Sequence, residues 1–399
     1  MSIEVLAGQI FNKMPEIGKR QRDFMIHLFS LLMVYRGRHN FENLSRYGRH
    51  SEVTYRSWYA RDFDFITFNQ HLINSLPEEE RVIAFDPCYL SKSGKHTPGA
   101  GYFWSGCAGS TKYGLEIGGF ASIGLKTRTA MHLCAHQTID QEEHKTLLEF
   151  YASQLTNQKD ALLKLSHIHA VDAFFSKKPY VDSALKDGFC VVSKLARNAV
   201  LRYPYLGPHP KRPGKKTEFN GRVDRLNLSE EYFKPCLKED NMVAYEGRVH
   251  AKALKRWVKC VIVHTTKKSG KIKVETFFST DTTMDGAKVL ECYRLRYQIE
   301  FLYRDGKQHL GLVECQARSQ EKIHTHVNAS LTAVSLAKVV HHLGLPENKR
   351  GSFSLSSIKM KYFNQDYLYR IFMEFGINPE SQINSEQYQE LYEYGCIAA

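Results

Sequence analysis

The stretch ECYRLRYQIEFLYRDGKQHLGL, residues 291–312, carries two rows of side chains. Tyr293, Arg296, Glu300 and Lys307 are spaced by three, four and seven, which at helical pitch places them within an arc of about 60°. Leu295, Ile299 and Leu302 form an apolar stripe on a neighbouring face. The spacing predicts one amphipathic helix whose apolar stripe faces a core, leaving a phenol, two cations and a carboxylate for another purpose. Arginine offers phosphate a bidentate fork, lysine a mobile point charge, and tyrosine a hydroxyl or a stacking ring. A metal-binding carboxylate between such groups makes sense if a phosphate backbone lies along that face. The alternative is a solvated ladder of ion pairs, each contributing only about 0.2–0.5 kcal/mol.

Composition points the same way. The chain has 399 residues, of which 43% are hydrophobic and 24% charged. That is globular rather than disordered, and long enough for roughly two or three domains. Its net charge of +13 suits a polyanionic partner, of which nucleic acid is the commonest, although solubility alone also explains a basic surface. No segment approaches the length of a membrane span, and the first twenty residues lack a secretory pattern. The nine cysteines include no CxxC pair and lie mostly in apolar runs, as reduced intracellular cysteines do. A cytoplasmic protein is expected.

Along the chain, residues 1–75 read as helices, with starts at Asn40, Ser51 and Asp64 and a C-cap at Gly37. This region suits DNA binding or dimerisation. RVIAFDP (81–87) reads as a buried strand stopped by Asp86 and Pro87. Further strands follow, then a helix near 142–157, and SHIHAVDAFF repeats the pattern of a strand ending in an aspartate, Asp172. Residues 203–270 are rich in strand patterns, and 346–399 turn helical again.

Three carboxylates stand out. Asp86 and Asp172 end hydrophobic strands, where side chains leave the core for a crevice, and Glu300 lies on the helix just described. Clustered carboxylates repel one another unless a cation joins them, and hard oxygen ligands select Mg²⁺ or Mn²⁺. Each could instead cap a turn. Asp140 is a rival for the second position, whereas Asp182 and Asp187 read as surface groups. HLCAH (132–136) is a conceivable zinc site without a fourth ligand, and core histidines explain it better. His167 and His169 fit either an active-site wall or a buried strand. SKSGKHTPG (91–99) lacks the spacing of a nucleotide-binding loop, though its cations could meet phosphates.

Tyr-x2-Arg-x3-Glu-x6-Lys resembles the YREK signature of bacterial insertion-sequence DDE transposases of the family-four type, and Tyr293, Arg296, Glu300 and Lys307 match it without a gap. VIAFD and IHAVDAFF resemble the family's first two aspartate motifs, although Pro87 and Cys88 stand where many members carry Ser or Thr. The resemblance implies an α/β fold with an RNase H-like mixed-sheet catalytic core interrupted by a β-rich insertion, between helical N-terminal and C-terminal regions. It divides the chain into 1–75 (helical), 76–202 (first part of the core), 203–270 (insertion), 271–345 (second part, with the signature helix) and 346–399 (helical). It also implies that Asp86, Asp172 and Glu300 hold two Mg²⁺ or Mn²⁺ ions, and that Tyr293, Arg296 and Lys307 grip double-stranded DNA. The expected reaction is cut-and-paste transposition: cleavage at terminal inverted repeats, then 3′-hydroxyl attack on target DNA, by a homodimer in the bacterial nucleoid. In several relatives an insertion-domain aromatic receives a flipped base, a role open here to Trp257, Phe277 or Phe278. A catalytically inactive DNA-binding derivative is the alternative, and a nuclease without strand transfer a weaker one.

Overall fold

The structure is a computed structural model that describes residues 1–94, 96–139, 146–208, 217–344 and 346–397. Asp140 lies outside the described residues. Five helices open the chain: α1 (Ile3–Phe11), α2 (Lys19–Val34), α3 (Phe41–Tyr47), α4 (Glu52–Tyr59) and α5 (Phe65–Ile73). The side chains of Asn40, Ser51 and Asp64 accept hydrogen bonds from the N–H groups of Asn43, Thr54 and Thr67, so each caps the helix it was expected to start. Gly37, with φ of 85°, falls beyond the Tyr35 cap of α2 and turns the chain there.

The strands are β1 (Arg81–Ser91), β2 (Gly101–Ser105), β3 (Ser110–Gly124), β4 (Ala130–Gln137), β5 (Ile168–Ala170), β6 (Cys190–Lys194), β7 (Leu201–Pro204), β8 (Phe219–Arg222), β9 (Lys234–Glu239), β10 (Met242–Ala251), β11 (Arg256–Thr266) and β12 (Ile272–Ser279). They join in one mixed sheet of order β2-β3-β1-β5-β6-β12-β11-β10-β7-β8, with β4 beside β3 and β9 beside β10. β1, β5 and β6 run parallel, and β3 runs antiparallel to β1. The strands after residue 200 continue the same ladder, because β12 pairs with β6.

β1 corrects one expectation. It does not stop at Asp86 and Pro87 but continues to Ser91, paired with β3 throughout. β5 accompanies it only at Ile83 and Ala84. Beyond Ala84 that edge is open, which accommodates a residue without an N–H at Pro87.

Further helices are α6 (Leu147–Leu163), α7 (Lys178–Lys186), α8 (Gly286–Leu295), α9 (Gln298–His309), α10 (Gln320–Gly344), α11 (Leu355–Glu374) and α12 (Glu386–Glu393). Stretch 291–312 is therefore two helices, not one. Between them Tyr297, Ile299 and Glu300 donate to carbonyls three residues back, a tightened turn that redirects the chain. The reason lies in packing: α8 rests on β6, β11 and β12, whereas α9 rests on β1 and β4. The stripe Leu295, Ile299 and Leu302 is buried as expected.

α10 is buried over most of its length and lies on β4. Its polar side chains are tied to that strand: Asn328 Nδ2 donates to the carbonyl of Ala135 (2.9 Å), and Lys338 Nζ to that of Ala130 (2.8 Å). Among the described residues no helix is long and apolar enough to cross a membrane.

Candidate active site

Strand register decides where the two aspartates go. Ala84 of β1 pairs in parallel with Ala170 of β5, and Asp86 and Asp172 each follow two residues later. Neighbouring parallel strands lie about 4.8 Å apart, so the two residues come level with one another at the C-terminal end of β5, Asp172 just beyond that strand and Asp86 still within β1. Asp172 Oδ1 accepts from Phe174 N (2.8 Å), capping the short 3₁₀ turn Ala173–Phe175, and its carbonyl accepts from Ser193 Oγ (2.8 Å). Asp86 caps nothing; it stands inside β1, opposite Gly119.

Glu300, in the first turn of α9, reaches this place through Arg296. Arg296 Nη1 lies 3.5 Å from Asp86 Oδ1, and Nη2 lies 3.1 Å from Glu300 Oε1. The Arg296 and Asp86 side chains are 12% and 19% exposed, that of Glu300 39%, so the pairs sit in a recess rather than on open surface. Burial pushes the Asp86 carboxyl up to about 7; Arg296 opposes this, and Glu300, Asp172 and Glu116 add to it. Arg296 is itself held above its ordinary range: burial disfavours its charge, but Asp86, Tyr293, Glu300 and Asp172 outweigh that. The site is thus a carboxylate cluster around one resident cation.

Tyr293, on α8, packs against Phe277 (centroids 4.8 Å apart), and the Arg296 guanidinium lies 5.9 Å from its ring. Lys307, two turns beyond Glu300, donates to the carbonyl of Tyr89 at 3.0 Å. Of the row, Arg296 and Lys307 contact β1, Glu300 meets it through Arg296, and Tyr293 packs on β12, with Lys307 tied to main chain rather than projecting freely.

Two contributors were not singled out in the sequence. Tyr303, buried on α9, donates from Oη to the main-chain carbonyl of Asp86 (2.7 Å), and a Cβ on Gly119 would fall 2.3 Å from that hydroxyl. Glu116, buried on β3, accepts from Thr138 Oγ1 (3.0 Å) and from Tyr151 Oη, and burial raises its pKa. Tyr303 stands one turn past Glu300, and Glu116 sits in the glycine-rich run GLEIGGF; both signals were present.

Other candidates resolve structurally. Asp182 pairs with Lys178 and Arg256. Asp187 is half-buried rather than on the open surface, its side chain bonded to Thr156 and 3.7 Å from Lys159. His132 Nε2 bonds Asn328 Oδ1 (2.9 Å), and His169 spans Ile83 O (3.1 Å) and Tyr180 Oη (2.8 Å), so both are core histidines. Phe277 and Phe278 are buried, whereas Trp257 is half-buried beside Arg248.

The donor set suits a hard divalent ion in kind, being carboxylates from within β1, from just past β5 and from the first turn of α9. It is not closed around a point: among the described residues no group of three or more His, Cys, Asp or Glu side chains is placed to hold one ion. Arg296 supplies the positive charge between two of them.

A sequence model of the family described as "Transposase DDE domain" matches residues 97–336, a span that includes Asp172, Glu300 and the row from Tyr293 to Lys307 and begins after Asp86. No curated protein matches the chain.

Proposed function

Since the chain belongs to the transposase DDE domain family, we propose that it is an active insertion-sequence transposase of the YREK group, cutting the ends of its element and joining the 3′-hydroxyl to target DNA. The observation that carries this reading is the Arg296 bridge, which joins Glu300 to an aspartate 210 residues before the arginine, with Asp172 just past the end of the strand that pairs with β1. A sheet with β1, β5 and β6 parallel and β3 antiparallel supports an RNase H-like core. We assign 203–270 as its insertion and 1–75 and 346–399 as flanking helical regions.

In this reading Asp86, Asp172 and Glu300 hold two Mg²⁺ or Mn²⁺ ions. Divalent ions bound by such carboxylates activate a water or hydroxyl and stabilise the leaving oxygen of a phosphodiester. The chain's own residues do the rest. Arg296 keeps Asp86 and Glu300 near one another at little repulsive cost. A phosphate backbone laid along α9 would compete for the Arg296 fork, which meets Asp86 and Glu300, and for the Lys307 ammonium, which meets the Tyr89 carbonyl, with the Tyr293 ring beside Arg296. Tyr303 fixes the β1 main chain at Asp86, so the carboxylate has a defined origin.

The alternative, an inactive DNA-binding derivative, requires that the acidic residues be dispensable, yet Asp86, Asp172 and Glu300 all remain. The test uses a duplex made from the DNA flanking the coding region, where short inverted repeats are expected. Asp86→Ala, Asp172→Ala and Glu300→Ala should each abolish cleavage of that duplex while mobility-shift binding survives. Full cleavage by the Asp172→Ala protein would pass its role to Asp140 and overturn the assignment.

A further inference from the structure

The β2–β3 hairpin carries three aromatic rings that neither the core nor the candidate active site uses. Tyr102 and Trp104 are 75% and 63% exposed. As residues i and i+2 of one strand they share a face. Tyr113 of β3 is directly paired with Tyr102, and the two rings meet edge to face with centroids 5.5 Å apart. Large rings grouped on one open face mark an interaction surface more often than chance exposure.

Tyr113 also lines a cleft of about 1410 Å³ between the helical front, the end of β1 and the segment after α9. Arg38, Arg56, Lys92, Arg318 and Lys322 line it too, and among the described residues Glu314 is the one carboxylate that does. Arg56 is paired with Glu52, and Lys92 Nζ donates to the carbonyls of Cys315 and Ala317, so Arg38, Arg318 and Lys322 supply most of the charge that makes the cleft complementary to a polyphosphate strand. A short hydrogen-bonded link joins it to the candidate active site: Tyr89 Oη donates to Tyr113 O (2.7 Å), and Lys307 Nζ donates to Tyr89 O (3.0 Å).

Cations that follow a backbone beside rings that accept base faces are the two parts of a single-strand binding groove. A duplex keeps its base faces stacked inside and would use only the cations. We propose that Tyr102, Trp104 and Tyr113 form a stacking platform for unpaired nucleotides of a DNA strand led along this cleft toward Asp86. The inference rests on the reading that the protein handles DNA, and it adds a single-stranded ligand at a place that reading does not specify.

The experiment compares the full chain with Trp104→Ala and Tyr102→Ala/Trp104→Ala variants, by fluorescence anisotropy with a labelled 20-mer of thymidine and with a 20-base-pair duplex. Stacking on one ring contributes enough that each lost ring should weaken single-strand binding by roughly tenfold or more. Duplex binding should change less than twofold, and Trp104→Tyr should recover most of the loss. Unaltered single-strand affinity in the double variant overturns the platform and leaves the face to a protein partner. An equal fall for both ligands also overturns it, as a general effect on the cleft. If the wild-type chain binds neither DNA, the transposase reading fails with it; if it binds and only the platform variants behave as wild type, that reading stands.

Discussion

Arg296 and Asp86 lie 3.5 Å apart, with Glu300 3.1 Å from the same guanidinium and the Asp172 charge acting on both, so one guanidinium is the local counterweight for several carboxylates. Removing a partner from such a pair costs more than the pair itself contributes, because the remaining charge is left with poor solvation. Arg296→Ala is expected to destabilise the protein by about 1–3 kcal/mol, a partly buried value discounted from the fully buried range. Asp86→Asn in the same chain should restore a part of that loss, since a neutral amide needs no counter-ion. A double-mutant cycle in urea checks this; strictly additive effects would show that the two groups do not interact.

Gly119 and Tyr303 set the position of β1 against α9. A Cβ on Gly119 would meet the Tyr303 hydroxyl at 2.3 Å, but the ring carbons only at 3.2 Å or more. Gly119→Ala should therefore cost about 1–3 kcal/mol through overpacking. Tyr303→Phe alone should cost about 1 kcal/mol, for the hydrogen bond to Asp86 O. The double variant should be more stable than the sum of the singles, because removing the hydroxyl makes room for the methyl. Thermal melts of the four proteins decide it, and a double variant as unstable as the sum would reject the steric account.

The aromatic residues of the β-rich segment should separate by their burial. Phe278 is fully buried, and Phe278→Ala is expected to cost about 3–5 kcal/mol. Trp257 is half-buried, against Phe219 and His250, so Trp257→Ala should lower stability by roughly 1 kcal/mol or less. Only Trp257 can then be tested for a DNA role without unfolding the protein. Comparable melting losses for both variants would contradict this ranking.

Lys359 predicts a pH dependence. Its ammonium donates to Leu32 O (2.5 Å) and lies 4.2 Å from the Tyr35 ring centroid. Burial, helped by Arg36 and opposed by Glu314, lowers its pKa from 10.5 to about 7. A base whose folded pKa is depressed binds its proton more weakly in the native state. Its stability contribution is therefore complete above the unfolded pKa and is lost as pH falls toward 7. Stability should rise between pH 7 and pH 10 by an amount on the order of 2–4 kcal/mol from this group. Lys359→Met should flatten that rise and stabilise the protein at pH 7. A wild-type curve that is flat or falling across this window in the comparison with Lys359→Met would count against it.

The sequence revealed what depends on neighbours along the chain. Asn40, Ser51 and Asp64 cap helices because a cap needs only a side-chain oxygen and an N–H three residues on. The stripe at Leu295, Ile299 and Leu302 likewise follows from local periodicity. What failed was set at a distance. No proline or glycine marks the turn at Arg296–Tyr297; it exists because α8 and α9 rest on different strands. Pro87 looked like the end of β1, yet the open edge beyond Ala84 lets the strand continue. Tyr303 and Glu116 were passed over because their partners are decided by the β1–β3 register and the docking of α9, neither of which a local pattern encodes.

The central claim is that Asp86, Asp172 and Glu300 act together on divalent ions, and calorimetric titration of Mn²⁺ into the full-length protein tests it without any DNA. The wild-type chain should bind Mn²⁺, and Asp86→Asn, Asp172→Asn and Glu300→Gln should each weaken that binding by at least tenfold, with thermal melts showing that each variant is still folded at the temperature of the titration. Binding that survives unchanged in the Glu300→Gln protein would contradict the claim, because the helix carboxylate would then stand outside the metal site.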